Sequence, residues 1–242
     1  MWLIAGAGGL VFLLGLTFLA GWSVHYPALV QGQPGVDTIP PTGALGFLLC
    51  GAGLASAALG RGRWALLCGG GAALLGGINL MGHLLGAGAV LDSLLFRFLQ
   101  VDGLSASGGM PPAGAIAFLV AGVGIVSAAA PLPAQWKFLV LGSAGASVAF
   151  TGILSRTGYI GQAVGPWDAS FAPGMPGFAA LSFFLVGGGL AGLGFIGTDA
   201  SVKAGVTGQL KSPGVFKPAG FLLPLLATGL LLGSIGVFFA GL

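Results

Sequence analysis

The chain has 242 residues, of which 5% are charged and 56% are hydrophobic, and its formal net charge is +3. A soluble domain has about 25% charged residues, so this chain lacks the polar side chains needed to cover a water-exposed surface. The composition therefore predicts a protein solvated by lipid. It also excludes a nucleic-acid partner, which would need a stripe of Lys and Arg with interleaved aromatics.

Seven segments are apolar and long enough to cross a bilayer as helices, which takes about 20 residues each. In chain order they lie at about 2–24, 42–60, 64–90, 112–130, 136–155, 176–197 and 219–241. Helices are required because lipid offers no hydrogen-bond partner to an exposed backbone. We therefore predict an all-α integral membrane protein with seven transmembrane helices.

Bases are unevenly distributed between the two sets of loops that connect these segments. One set and its margins carry Arg61, Arg63, Lys137, Lys203, Lys211 and Lys217. The other set carries only Arg97 and Arg156. Because positively charged loops stay in the cytoplasm, the first set is predicted to be cytoplasmic. The N-terminus is then cytoplasmic and the C-terminus is periplasmic.

A proline-headed phrase occurs three times, at the start of the second, fourth and sixth segments. The copies are residues 39–47, 110–118 and 175–183, with Pro40, Pro111 and Pro176 at equivalent places. Proline suits the first turn of a helix because an N–H there would have no intrahelical partner. The phrase predicts three repeated helical hairpins over residues 1–197. A cytoplasmic loop at 198–218 and a C-terminal transmembrane helix at 219–242 follow.

The chain contains 49 glycines, and several lie four residues apart within a predicted span. Such pairs let membrane helices approach closely, so packing within one bundle is the simpler interpretation. The alternative is a groove for a neighbouring subunit's helix, a lipid tail or a pigment. The pairs are Gly82/Gly86, Gly188/Gly192 and Gly229/Gly233. As partner-facing positions we take Gly188, Gly192, Gly229 and Gly233, together with Leu210 and Phe216 in the 198–218 loop.

Four residues could bind a ligand or a lipid headgroup. His25 follows the first segment and His83 lies near the end of the third, so a bis-histidine haem site is conceivable. Their different depths make hydrogen bonding at the interface the preferred interpretation. Arg156 could pair with Asp168 in the following loop, or it could hold a carboxylate or a lipid headgroup, although a snorkelling arginine explains Arg156 more simply.

No group of residues in the sequence resembles a catalytic site. No Asp, Glu, Lys or Arg falls in the middle of a predicted span, which argues against a pump or an ion-coupled transporter. Cys50 and Cys68 are interpreted as small buried hydrophobes rather than metal ligands. We therefore expect a protein that is not an enzyme, without metal or cofactor, although a bound lipid or pigment stays open.

The repeated phrase also carries a resemblance to a known family. It is similar to the Met-x-Pro-x-Thr-Ala-Leu-x-Phe-Leu-Leu phrase of the N-terminal multi-helix membrane sensor region that precedes PAS, histidine-kinase and diguanylate-cyclase domains in bacteria. Segments 88–96 and 158–161 resemble that region's Gly-x-x-x-Asp-x-Leu-Leu-Phe and Gly-Tyr-Leu-Tyr-Gly. The resemblance implies a bacterial inner membrane. Because the sequence stops at Leu242, we expect no output domain of the kind this family carries.

Two classes of function fit these observations. The first is a non-catalytic accessory or scaffold subunit of a larger membrane protein complex, of respiratory or photosynthetic type. The second, which rests on the resemblance, is a stand-alone sensory module that binds a ligand outside and signals through a partner. A b-type cytochrome that uses His25 and His83 is a further alternative. The expected partners are membrane lipids and other membrane protein subunits.

Overall fold

The structure is a computed structural model that describes residues 1–24, 26, 39–86, 109–157 and 177–205. This part of the chain forms six α-helices, and each is long and apolar enough to cross a membrane. They are α1 (Trp2–Ser23), α2 (Pro41–Ala58), α3 (Gly62–Leu84), α4 (Pro112–Ala129), α5 (Ala134–Thr157) and α6 (Gly177–Gly205). The predicted all-α membrane class is confirmed. The seventh predicted span, at 219–241, lies outside the described residues.

The helices pack most extensively as three sequential pairs, α1 with α2, α3 with α4, and α5 with α6. Glycines place the two backbones of each pair in direct contact. A Cβ on Gly15 of α1 would lie 2.9 Å from the Ala44 carbonyl oxygen, and one on Gly8 would lie 2.9 Å from that of Gly51. The contact residues of α1 rise in number from Gly8 to Gly15 while their partners in α2 fall from Gly51 to Ala44, so the two helices are antiparallel.

The same close approach occurs in the other two pairs. On α3, a Cβ at Gly76 would lie 2.5 Å from the Ala115 carbonyl oxygen. On α5, a Cβ at Gly152 would lie 2.6 Å from the Ala180 carbonyl oxygen. The contact glycines lie seven residues apart on each odd-numbered helix, which is about two turns. They are Gly8 and Gly15, Gly69 and Gly76, and Gly145 and Gly152.

The six helices divide into a central and a peripheral set. In the spanning windows of α2, α4 and α6, between 56% and 61% of residues are buried, against 28% to 33% for α1, α3 and α5. We call the first three the central helices and the others the peripheral helices. Peripheral side chains such as Leu3, Leu67 and Leu74 are exposed, as expected for a surface that faces lipid tails.

Proline sets the start of the central helices. α2 begins directly after Pro40 and α4 directly after Pro111, and both prolines have extended backbone angles, with ψ of 152° and 150°. α6 begins at Gly177, the residue after Pro176. The central helices are parallel, because residues near their starts contact one another and residues further along also contact one another. Their N-termini therefore lie together, at what we call the proline end of the bundle.

Two predicted helix ends differ from the structure. α3 ends at Leu84 rather than near residue 90, because Gly86 adopts a φ of +69° that closes the helix. Gly82 and Gly86 therefore do not share a helix face, and that predicted pair is wrong. α6 continues to Gly205, so residues 198–205 of the predicted cytoplasmic loop are helical. The predicted end of α6 lies where the sequence becomes less apolar, but a helix can continue beyond the apolar segment into water.

Candidate functional site

The centre of the bundle is filled by three phenylalanines, one from each central helix. The ring centroids of Phe47 and Phe118 are 5.0 Å apart, those of Phe47 and Phe183 are 4.9 Å apart, and those of Phe118 and Phe183 are 5.1 Å apart. Each ring is only 2% exposed. These separations are typical of favourable tilted aromatic contacts. The three rings therefore form a closed layer across the middle of the bundle.

A second closed layer lies two turns further along the central helices. Here each central helix presents a glycine, and a branched side chain of a neighbouring central helix packs onto it. The Ile125 side chain lies 3.0 Å from the Cβ position of Gly53, and that of Leu190 lies 3.1 Å from that of Gly124. Leu54 packs onto Gly189 in the same way, at 2.6 Å. Together the two layers leave the axis of the bundle filled with apolar side chains.

At the proline end, two peripheral helices hold the chain that enters a central helix. The Nε1 group of buried Trp22 donates a hydrogen bond to the Ile39 carbonyl oxygen, 2.8 Å away. The Nε2 group of His83 meets the Met110 carbonyl oxygen at 2.5 Å. A carbonyl only accepts, so Nε2 carries the proton in this contact. Both acceptors belong to the residue that directly precedes the first proline of its phrase.

These two contacts occupy equivalent places. Trp22 lies seven residues after Gly15, and His83 lies seven residues after Gly76. The two side chains differ in chemistry but share a position and an N–H donor. Sequence reasoning considered His83 as a haem ligand or an interfacial hydrogen-bonding group. In the structure its Nε2 atom contacts the Met110 carbonyl oxygen, a protein partner.

We predict that removing the Trp22 donor destabilises the protein. Trp22→Phe keeps an aromatic ring but leaves the Ile39 carbonyl oxygen without this donor, so the free energy of unfolding should fall by about 1 kcal/mol. An SDS unfolding titration of the purified protein measures the change. Trp2→Phe is the control, since Trp2 is 82% exposed. Equal unfolding curves for the two variants would contradict this role for Trp22.

Other predicted site residues fall in different places. His25 and Asp168 lie outside the described residues, as do Gly229, Gly233, Leu210 and Phe216. Arg156 lies in the last turn of α5. Gly188 and Gly192 do not form one free face. Gly188 is exposed with open space at its Cβ position, whereas the Ile4 side chain of α1 packs 3.1 Å from that of Gly192.

Sequence reasoning missed Asn79, which the structure buries completely in α3. Its Nδ2 group donates to the Leu75 carbonyl oxygen at 2.9 Å, while its Oδ1 atom has no hydrogen-bond partner among the described residues. A buried acceptor without a donor costs about 1–3 kcal/mol. Asn79 is the only asparagine in the chain, and a lone amide within an apolar span was the available signal.

The two cysteines lie on neighbouring helices. Cys50 is buried in α2 and Cys68 is partly buried in α3, and both thiols are free. Among the described residues, no group of three or more His, Cys, Asp or Glu side chains is arranged to hold a metal ion. Comparison of the chain with protein-family models, curated proteins and solved structures gives no match.

Proposed function

We propose that this protein is a non-catalytic accessory or scaffold subunit of a larger membrane protein complex, of respiratory or photosynthetic type. The observation that carries the proposal is the filled centre, where Phe47, Phe118 and Phe183 close the axis with rings about 5 Å apart. A protein that moves a solute through its own centre needs a polar path there. This bundle instead contributes a packed body with an apolar periphery.

We further propose that the bundle consists of three repeated hairpins and that residues 219–241 form a seventh span. Equal spacing supports the repeat. The phenylalanine lies seven residues after Pro40, Pro111 and Pro176, and the contact glycine of each central helix lies eleven residues after them. The contact glycines are Gly51, Gly122 and Gly187. One ancestral hairpin, present three times, would produce these spacings.

The proposed location is a bacterial inner membrane with the proline end facing the periplasm. The excess of bases in the loops at the opposite end supports this orientation. Single cysteines introduced at Gly62 and Leu104, in a Cys50→Ala/Cys68→Ala background, test it with a membrane-impermeant maleimide. Residue 62 should react only in opened membranes and residue 104 in intact cells. The reverse pattern would overturn the orientation.

The proposed partner surface includes the exposed side of α6 around Gly188. A helix of another subunit can approach this backbone closely, since no atom of the described residues lies within 4 Å of the Cβ position. The proposal extends the surface to Gly229, Gly233, Leu210 and Phe216 on the basis of sequence alone. A free apolar face would otherwise be covered by lipid, so the experiment must separate a protein partner from a lipid contact.

Purification from the native membrane in a mild detergent tests the proposed function. We expect the chain to co-purify with a defined membrane complex at fixed stoichiometry. Gly188→Leu should lower that stoichiometry while the protein still inserts and folds. Gly6→Leu is the matched control, because Gly6 of α1 is also exposed with open space around it. Leu210→Ser/Phe216→Ser tests the loop in the same way.

Two other results would overturn the proposal, and a third would narrow it. A monodisperse lone protein that binds a small molecule would support the sensory module implied by the family resemblance. A haem absorption band, lost in His25→Ala, would support a b-type cytochrome. Equal stoichiometry in the Gly188→Leu and wild-type samples would remove the α6 face from the partner surface.

A further inference from the structure

The end of the bundle opposite the prolines carries a repeated pairing of tryptophan with positive charge. All three peripheral helices begin at this end, because each is antiparallel to a central helix. Trp64 is 61% exposed in the first turn of α3, and Trp136 is 56% exposed in the first turn of α5. Trp2, the first residue of α1, is 82% exposed. We call this the basic end, defined by Arg61, Arg63 and Lys137.

The bases at this end lie where a helix disfavours them. A helix N-terminus carries a partial positive charge, so acidic residues stabilise it and bases do not. Arg63 lies in the first turn of α3 and Lys137 in that of α5, and neither turn contains an acidic residue. Arg61 is the N-cap of α3, and its side chain makes no capping hydrogen bond. Positive side chains and positive helix ends therefore lie together in these two first turns.

The first turns of α3 and α5, which carry the bases, both lie near the C-terminal end of α4. The Cβ position of Gly62, in α3, is 4.0 Å from the Cβ atom of Ala129, the last residue of α4. α5 then begins at Ala134, only five residues further along the chain. The starts of α3 and α5 thus border the same surface. Arg61 and Arg63 are exposed and Lys137 is partly exposed on it.

We propose that the basic end binds the headgroups of anionic phospholipids. The phosphate would lie between the cationic side chains and the N–H groups of the first turns of α3 and α5, which have no intrahelical acceptor. The exposed indole rings of Trp64 and Trp136 would then lie in the headgroup region, where tryptophan is enriched in membrane proteins. Charge, donors and aromatic rings together match a phosphate that carries acyl chains. This site is independent of the proposed accessory function.

Brominated lipids quench tryptophan fluorescence and report this binding directly. The purified protein is reconstituted in brominated phosphatidylcholine, and phosphatidylglycerol of the same chain length is then added. We expect phosphatidylglycerol to displace the quencher several-fold more effectively than unbrominated phosphatidylcholine does. The three cations together supply this preference. Arg61→Gln/Arg63→Gln/Lys137→Gln should therefore show a ratio near one.

The charge-conserving variant Arg61→Lys/Arg63→Lys/Lys137→Arg is the matched control and should keep the preference. If the glutamine variant fails to fold, a salt titration of the wild-type protein replaces it. The preference should then fall as sodium chloride screens the headgroup charge. A wild-type ratio near one, or a preference unchanged by the glutamine variant or by salt, would overturn the proposal. Full competition by inorganic phosphate would also overturn it, because the site would then bind free phosphate rather than lipid.

Discussion

Gly76→Ala is expected to lower the free energy of unfolding by about 1–3 kcal/mol, because the new methyl group would meet the backbone of α4. The Cβ position of Gly76 lies 2.5 Å from both the Ala115 carbonyl oxygen and the Leu119 amide nitrogen. Neither atom belongs to a side chain that can rotate away, so the two helices must separate along the contact. An SDS unfolding titration in detergent measures the loss.

The control for this prediction lies on the same helix. In the described part of the chain, no atom lies within 4 Å of the Cβ position of Gly70 in α3. Gly70→Ala should therefore leave stability unchanged or raise it by up to about 1 kcal/mol, the ordinary gain when alanine replaces glycine in a helix. If Gly70→Ala and Gly76→Ala shift the unfolding curve by the same amount, close contact between α3 and α4 is not what requires glycine at position 76.

Phe183→Ala is expected to be among the most destabilising side-chain truncations in the bundle. It removes one of three mutually contacting rings and leaves a cavity between α2, α4 and α6. Such truncations cost about 3–5 kcal/mol in water-soluble cores. We expect about 3 kcal/mol here, because the unfolded helices stay in an apolar solvent and the transfer contribution is smaller.

The neighbouring residue provides the matched control for the phenylalanine layer. Phe184 follows Phe183 in α6 but is 49% exposed, against 2% for Phe183. Phe184→Ala makes the same chemical change on the lipid-facing side and should alter stability by no more than about 0.5 kcal/mol. Comparable losses for the two variants, measured in the same titration, would contradict a central position for Phe183.

Composition and proline spacing were sufficient to predict the helices of the described part of the chain. The apolar segments follow from lipid solvation, and the proline phrase predicted the starts of α2 and α4. Both signals are local, so a single sequence contains them. The end of α3 was predicted less well because it depends on the positive φ of Gly86, which an apolar run does not reveal.

Helix faces were much harder to predict than helix positions. The run Gly69-Gly70-Gly71 looks like one feature in the sequence. Among the described residues, however, only Gly69 of the three meets a neighbouring backbone, and Gly70 has no neighbour within 4 Å of its Cβ position. The glycine pairs predicted from the sequence are four residues apart, whereas the contact glycines of the peripheral helices lie seven residues apart. Which of several glycines faces a neighbour depends on the crossing of two helices, and that crossing is a tertiary property.

The equivalence of Trp22 and His83 shows the same limit. Their side chains have unrelated chemistry, so residue identity does not connect them. Only their common distance from Gly15 and Gly76, together with the carbonyl that each one reaches, reveals the shared role. Asn79 was missed for a related reason, because its burial depends on where α4 packs.

The central claim is that three hairpins surround a common centre and that equivalent residues of each hairpin make equivalent contacts, which we call one register. Disulfide cross-linking tests this claim most directly. In a Cys50→Ala background, Gly53→Cys places a thiol opposite native Cys68, with the two Cβ positions 3.3 Å apart. The equivalent pair, Gly124→Cys with Ala144→Cys, has Cβ positions 3.2 Å apart. Both separations are close to the roughly 3.5–4.5 Å that a disulfide requires.

The third pair, Ala7→Cys with Gly189→Cys, follows from the repeated register alone. The Ile4 side chain packs beside Gly192, and Ala7 and Gly189 lie three residues further along antiparallel helices. We predict that mild oxidation links all three pairs, each in a background without other cysteines, and leaves the control pair Gly70→Cys/Gly142→Cys unlinked. Failure of the first two pairs, or of the third alone, would contradict a three-hairpin bundle with one register.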